Sequence, residues 1–234
     1  MTAKSSSGTS RGPSTAAGRI QKLTVLIRRF GWKQALRIAR LWALRQACGY
    51  RAATIFRLDL REAKPAGSCA RFSWSYRTPG EIAPDLWREA DIQKAGPDVR
   101  CFVGESGNQQ CYFSLVSCRS FSIPHRVSIT FASASEAYVG NCVTLDSFRG
   151  MGIYPCGLAE LGCRLQAEGR RWLYLFVECE NLASIRGVEK AGFRPIAGCS
   201  VFQWRGRSRQ HWRIVPGVPD AELVRRWAVS HPPG

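Results

Sequence analysis

The chain has 234 residues, a hydrophobic share of 45% and a formal net charge of +17, from 34 basic and 17 acidic side chains. The hydrophobic share is ordinary for a globular protein, whereas the net charge is not, and the length allows one good-sized domain with extensions. No window contains the 18 or more apolar residues of a membrane-spanning helix, so the sequence excludes that class.

The amino-terminal part of the chain carries most of the excess positive charge. Residues 1–64 hold 14 of the basic side chains and only 2 of the acidic ones. Residues 1–19 are rich in Ser, Thr, Gly and Ala and predict a disordered tail. Residues 20–50 predict a basic amphipathic helical arm with apolar runs on both sides of Gly31. Such an arm can lie on an anionic membrane surface or pack its apolar side on the domain; nucleic acid binding is not favoured, because the arm has no reading motif.

The ten cysteines do not form a metal or disulfide pattern. None forms a CxxC pair, and none lies near one of the three histidines at zinc-finger spacing. Several fall within apolar runs, where cysteine packs as a small hydrophobe. No secretory signal peptide opens the chain. We therefore expect a reduced, cytoplasmic protein without disulfides or a structural metal.

The stretch between residues 51 and 215 predicts a domain of alternating strands and helices, followed by an extension over 216–234. Hydrophobic patterning predicts strands over 52–60, 99–105, 110–117, 125–131, 138–145, 172–177, 193–197 and 200–204. Helices are predicted over 85–95, 155–168, 182–191 and, weakly, 221–229. Trp172–Val177 is a continuous apolar run, which is typical of a strand deep in a sheet.

The stretch from Val143 to Tyr154, VTLDSFRGMGIY, predicts a strand, a glycine turn and the start of a helix. That order places free backbone N–H groups and the positive end of a helix dipole at one point, which suits a phosphate. Glycine lets the backbone approach the ligand closely, and Arg149 adds charge at the rim. The stretch is neither a P-loop nor a dinucleotide fingerprint. The alternative to a phosphate site is a purely structural turn that leads into the helix.

A second stretch, Asn181 to Phe193, favours the phosphate site over a purely structural turn. Arg149-x-x-Gly152 resembles the pyrophosphate-binding turn of the GCN5-related N-acetyltransferases, the GNAT superfamily. Asn181, Ser184 and the Lys190-x-Gly192-Phe193 run resemble the second motif of that family. The resemblance implies an α+β fold with α/β layering: a mixed, mostly antiparallel sheet with splayed central strands, flanked by helices. Some bacterial members have a similar Arg-Gly-x-Gly-Ile/Leu-Tyr-Pro turn.

The resemblance also implies a reaction, in which an acetyl group passes from acetyl-CoA directly to a primary amine of a small molecule in a ternary complex. It assigns cofactor binding to backbone groups of one strand-to-helix region and to two polar residues at the start of the next helix. These residues are Val143, Thr144, Leu145, Arg149, Gly150, Met151, Gly152, Ile153, Tyr154, Asn181 and Ser184. For Asn181, a helix N-cap is an equally suitable role.

The groups that move protons are less well defined by the resemblance. Glu178 and Glu105 are candidate bases, and Tyr138 and Asn141 are candidates to point into the acceptor site. Trp87 is a candidate wall residue of the acceptor pocket.

Two positions depart from the family pattern. Val188 replaces the tyrosine that many members use as a general acid. The leaving thiolate must then be stabilised or protonated by water, by a backbone group or by another side chain. Tyr154 and Cys179 are candidates for that side chain. Tyr154 also replaces the last Gly or Ala of the turn. The alternative to a role in the reaction is that its side chain packs outward at the start of the helix.

Two other functions stay open. A long-chain N-acyltransferase would take its acyl group from acyl-CoA or acyl carrier protein and dock through the basic arm, at the inner membrane face. A non-catalytic GNAT-like module would bind without turnover.

Overall fold

The computed structural model describes residues 16–63, 71–89, 99–123, 127–131, 133–204 and 207–216. The chain divides into two units, Met1–Ala47 and Cys48–Gly234. The helix predicted over 221–229 and most of the predicted tail lie outside the described residues.

Two helices, α1 (Ala16–Phe30) and α2 (Trp32–Cys48), form the described part of the arm. Gly31 separates them with a positive φ of 84°, which favours glycine at the end of a helix. Because α1 begins at Ala16, the prediction of disorder is wrong for residues 16–19; Ala16 and Ala17 have the highest helix propensity. None of the helices described is sufficiently long and apolar to span a membrane.

The second unit contains an eight-stranded sheet in the order β10-β9-β1-β8-β7-β4-β3-β2. All neighbouring strands are antiparallel except β7 and β8, which are parallel in the centre. Its strands are β1 (Arg51–Asp59), β2 (Ser73–Arg77), β3 (Val99–Ser106), β4 (Gln109–Ser117), β7 (Glu136–Thr144), β8 (Trp172–Glu178), β9 (Arg194–Trp204) and β10 (Arg207–Ile214). A separate two-stranded sheet pairs β5 (Ser120–Ile123) with β6 (Val127–Thr130).

Helices cover both faces of the large sheet. On one face, α4 (Ile153–Ala167) and α5 (Leu182–Lys190) bury apolar residues such as Leu158 and Val188 in the largest core cluster. On the other face, α3 (Pro84–Glu89) buries Leu86 against Val103 and Phe113. The predicted fold class, a mixed and mostly antiparallel sheet flanked by helices, is confirmed.

Four strand assignments differ from the sequence pattern. β2, β5 and β10 were not predicted, because short or charged edge segments such as Arg207–Ile214 lack a hydrophobic alternation. The strands predicted over 193–197 and 200–204 are one continuous strand, β9. Its register against β1 shifts between Ile55 and Phe56, opposite Pro195, and a bulge is where a strand tolerates proline.

Candidate active site

The two parallel strands β7 and β8 separate towards their carboxyl ends. They are paired over three residues only, from Glu136 opposite Trp172 to Tyr138 opposite Tyr174. Beyond these residues β7 stays paired with β4, and β8 stays paired with β1. A wedge therefore opens between residues 139–144 and residues 175–178, and no strand pairing crosses it in the described structure. Its inner edges offer main-chain groups to an extended ligand.

Strand β7 carries a bulge where the wedge opens. Phe113 faces Val143 and Leu115 faces Gly140, so β7 has one residue more than β4 in this interval. Asn141, within the bulge, has a positive φ of 47°, a conformation that asparagine adopts more readily than most residues. Its side chain is exposed. The bulge turns this part of the backbone out of the ladder with β4, beside the wedge.

Tyr138 lies at the narrow end of the wedge. Its ring stacks on Phe176 of β8, with centroids 5.9 Å apart, and the residue is 9% exposed. A Cβ on Gly140 would lie 2.5 Å from the Tyr138 hydroxyl, so glycine is needed for this packing. Because side chains alternate along a strand, Glu178 shares the sheet face of Phe176. Two candidates from the sequence, Tyr138 and Glu178, thus share one face of the wedge.

Of the two candidate carboxylates, only Glu178 lies beside the wedge. It ends β8, and its Oε1 accepts a hydrogen bond from Arg51 at 3.1 Å. Glu105 lies on β3, which β4 separates from β7, and it accepts a hydrogen bond from Arg77 at 3.3 Å. The structure therefore does not bring the two carboxylates together.

The turn between β7 and α4 is open on its outer side. Gly150 and Gly152 have positive φ angles of 85° and 79°, and Gly152 is the N-cap of α4. A Cβ at either position would meet no atom within 4 Å, so the turn needs glycine for its backbone conformation and leaves clear space above it. The N–H groups of Ile153 and Tyr154, in the first helical turn, have no partner within the helix. Together with the helix dipole they suit an anion.

Two arginines lie at this turn. Arg149 pairs with Asp146 at 2.7 Å, and its Nε donates to the Thr144 carbonyl at 3.2 Å, so part of its charge is compensated. The Arg71 guanidinium donates to the carbonyl of Met151. Sequence reasoning missed Arg71, since nothing in the sequence relates it to a turn 80 positions later.

The backbone groups of residues 143–145, which are predicted to contact the cofactor, are not all free of contacts within the fold. Val143 and Thr144 lie on β7 beside the wedge and pair with β4. The Leu145 N–H donates to the Cys111 carbonyl at 3.1 Å, and the Leu145 carbonyl accepts from Phe148 at 2.9 Å. The N–H of Leu145 is therefore already used within the fold.

Tyr154 points inward, not outward. Its hydroxyl accepts a hydrogen bond from Ser184 Oγ at 3.1 Å, and its ring lies where a Cβ on Gly187 would be 2.5 Å from Cδ1. The Tyr112 ring is 6.4 Å away. Burial is the largest cause that raises the pKa of Tyr154, and it raises the pKa of the adjacent Cys142 thiol to about 12. Both groups therefore keep their protons near neutral pH.

Helix α5 meets this cluster with its first turn. Asn181 is the N-cap, because its side chain accepts from the Ser184 N–H at 3.1 Å. Val188 is fully buried in the core. Cys179, the other candidate acid, lies 3.6 Å from the Thr54 hydroxyl on β1. Tyr154 and Ser184 thus form a hydroxyl pair where α4 and α5 begin.

Two other expectations concern this region. The side chain of Trp87 lies outside the described residues. Within the described part of the chain, no three His, Cys, Asp or Glu side chains are grouped to hold a metal ion.

Comparisons with known proteins find similar solved structures at low sequence identity. No family model and no curated protein matches the chain. A GCN5-related N-acetyltransferase from Kribbella flavida is 15% identical, with a TM-score of 0.46 over 65% of this chain and 58% of that one. A GCN5-related N-acetyltransferase from Sphaerobacter thermophilus is 15% identical, with a TM-score of 0.47 over 81% and 59%. A GNAT family protein from Novosphingobium aromaticivorans is 14% identical, with a TM-score of 0.48 over 65% and 64%. The chain spans less than two thirds of the length of each.

Proposed function

We propose that the chain is an acyl-CoA-dependent N-acyltransferase, which transfers an acetyl group from acetyl-CoA directly to a primary amine of a small molecule. The observation that carries the proposal is the wedge between β7 and β8, with an open glycine turn directly after β7. A ligand held by its diphosphate at the turn can extend into the wedge, because the turn follows the strand that forms one side of it.

The residues at the turn fit a diphosphate. The first-turn N–H groups of α4 directly follow Gly152, and no atom lies within 4 Å of where a Cβ on Gly150 or Gly152 would be. Arg71 and Arg149 add positive charge beside it. The thioester, when bound, supplies an acyl carbon that an amine can attack. Holding the acyl donor and the amine in one wedge supplies much of the rate, because the reaction becomes effectively unimolecular.

The amine must lose a proton, and Glu178 is the carboxylate that lies at the open end of the wedge. Arg51 orients it by a hydrogen bond. Tyr138 and Phe176 form the apolar floor on the same face, and the exposed Asn141 offers a polar contact to the acceptor. We therefore assign the acceptor amine to this face of the wedge.

The leaving thiolate needs a proton, and we assign this role to Tyr154. Its burial favours the neutral phenol. Ser184 donates to the phenolic oxygen, and the O–H of Tyr154 donates to the Cys142 sulfur, so this proton must leave the Cys142 contact to reach the thiolate. Val188, fully buried, has no proton to give.

Calorimetric titration with CoA tests the cofactor assignment with a matched pair of variants. Gly152→Asp places a negative charge at the turn, and we expect CoA affinity to fall below detection. Gly169→Asp is the control, because Gly169 follows α4 at its other end with the same φ of 79° and equally open space. It causes the same backbone strain, and we expect it to bind CoA as the wild-type chain does.

Equal CoA affinity in both variants would refute the assignment. Titration with acetyl-CoA, long-chain acyl-CoA and acyl carrier protein identifies the donor, and a panel of amines screened for CoA release identifies the acceptor. CoA binding without release on any amine would favour a non-catalytic module.

A further inference from the structure

Helix α2 exposes large apolar side chains that a solvent-facing helix does not need. Trp32 is 63% exposed, Leu36 is 56% exposed and Leu44 is 42% exposed. The same helix already has a buried side, with Ala35 and Ile38 at 2% and 0% exposure. Around the helix, Trp32 and Leu36 adjoin this buried side, so the apolar part of α2 extends well beyond what the fold buries.

Basic residues lie between these apolar ones. At about 100° per residue, Trp32, Leu36 and Leu44 fall within an arc of roughly 140° on one side of α2. Lys33, Arg37 and Arg40 fall within the same arc and are exposed as well. We call these six residues the outer face of α2.

The charge around the outer face has a single sign. Residues 16–48 contain eight Lys or Arg and no Asp or Glu. The outer face therefore has no acidic neighbour along the arm that could compensate its positive charge. A complementary surface must be anionic and must also accept indole and leucine side chains.

We propose that the outer face of α2 binds the surface of an anionic lipid bilayer, with α2 lying in the plane of the interface. A bilayer offers a continuous layer of anionic headgroups above an apolar layer, which matches basic and apolar residues mixed along one face. Long Lys and Arg side chains reach the headgroups while the Trp and Leu side chains between them enter the apolar layer.

Other anionic partners fit this face less well. The central part of a protein–protein interface is depleted in Lys, whereas here Lys33 stands directly among the apolar residues. Nucleic acid binding gains from the basic residues but offers no burial for Leu36. The lipid surface accounts for both residue classes.

Co-sedimentation of the full chain with vesicles tests the proposal. We expect it to bind vesicles of equal parts phosphatidylglycerol and phosphatidylcholine at low salt, more weakly at high salt, and not to bind pure phosphatidylcholine. Lys33→Gln, Arg37→Gln and Arg40→Gln combined should lower the affinity roughly a hundredfold, at about fivefold for each charge. Trp32→Ser with Leu36→Ser should lower it at equal net charge.

Two control variants change the same residue classes in the second unit. Lys190→Gln, Arg209→Gln and Arg213→Gln combined remove three exposed charges, and Phe202→Ser removes an exposed apolar side chain that is 39% accessible. We expect both controls to bind the anionic vesicles as the wild-type chain does.

The proposal is overturned if the wild-type chain does not bind the anionic vesicles, or if the outer-face and control variants bind alike. Binding to an acidic carrier protein or to duplex DNA without vesicle binding overturns it equally. The comparison of salt and lipid composition uses the unaltered chain, so it does not depend on how any variant folds. CoA titration of the same samples tests the proposed function separately, so a failure of lipid binding can be distinguished from a failure of CoA binding.

Discussion

Tyr154 illustrates how one large residue depends on a small one across two helices. Its ring occupies the space that Gly187 leaves on α5, and its hydroxyl meets Ser184 one turn earlier. Val188, next to that glycine, turns into the core instead. A tyrosine on α4 thereby brings a phenol to the start of α5 where α5 itself has none.

Tyr154→Phe keeps the ring and removes only the hydroxyl. If the phenol protonates the leaving thiolate, the turnover of an amine substrate should fall about a hundredfold or more, the usual range for loss of a general acid. CoA affinity should stay unchanged, because the first-turn N–H groups remain. Steady-state rates measured across pH, with calorimetric CoA binding, check this. A variant with wild-type turnover at every pH would remove Tyr154 from the mechanism.

Gly187→Ala should displace the Tyr154 ring, since the added methyl would lie 2.5 Å from its Cδ1. We expect a loss of about 1–3 kcal/mol in the free energy of unfolding, as for overpacked cores. Gly162→Ala is the control within α4, where the nearest atom is an ordinary 3.4 Å away on Leu58. Alanine there should be neutral or stabilising by up to about 1 kcal/mol. Denaturant unfolding measures both, and equal effects would contradict the packing described here.

Among the contacts between secondary-structure elements, one ion pair joins the sheet to the end of α4. Arg100 on β3 donates to both oxygens of Glu168, at 2.9 and 2.7 Å, and Glu168 directly follows α4. Tyr76 on β2 donates to the same carboxylate at 3.2 Å, and the Arg100 guanidinium lies 4.3 Å from the Tyr76 ring. The pair therefore connects three elements that are distant in sequence.

The pair makes stability depend on pH. The hydrogen bond from Arg100 is the largest cause that lowers the pKa of Glu168. A lowered carboxyl pKa stabilises the fold above the unfolded value of about 4.3, and this contribution is lost as pH falls through the lower folded value. Glu168→Gln should therefore cost about 1 kcal/mol at neutral pH, because the pair is partly exposed, and nothing once the wild-type carboxyl is protonated.

Denaturant unfolding at several pH values measures this difference. Glu160→Gln is the control, because Glu160 pairs with Arg164 at 3.1 Å as an i,i+4 pair within α4. Its cost should be smaller, about 0.3–0.5 kcal/mol. A Glu168→Gln effect that is the same at acidic and neutral pH would contradict the pKa direction.

At the scale of the whole molecule, the candidate site and the basic arm belong to different units. Every residue assigned to CoA binding or proton transfer has a number above 70, within the unit Cys48–Gly234. The proposed lipid-binding face lies on α2, almost wholly within Met1–Ala47. The residues proposed for the chemistry and those proposed for lipid binding thus lie in separate parts of the chain.

Deleting residues 1–47 should leave CoA affinity within about twofold of the wild-type value, because the deletion removes no assigned binding group. Vesicle binding should be lost at the same time. Calorimetry and co-sedimentation on one preparation test both expectations. Loss of CoA affinity in a soluble, folded truncation would show that the arm contributes to the site.

Local patterns in the sequence determined the elements that line the site. The apolar run of β8, the glycine turn and the helical spacing of α4 and α5 each depend on neighbouring residues, so they can be recognised without the fold. Asn181 as an N-cap is local in the same way. Edge strands such as β10 could not be recognised in the sequence, because their stability comes from pairing with a neighbouring strand and leaves no local hydrophobic pattern.

Which of these residues come into contact depends on the folding of distant segments onto one another. Arg71 joins the turn, Glu105 is removed from the wedge by β4, and Tyr154 faces Ser184 across two helices; each result follows from strand order or packing between distant segments. The wedge itself exists because β7 and β8 each keep a different outer partner. The type of each residue fixes the chemistry that is available at its position. Contacts between residues that are distant in sequence bring this chemistry together, and these contacts are defined only once the core is packed.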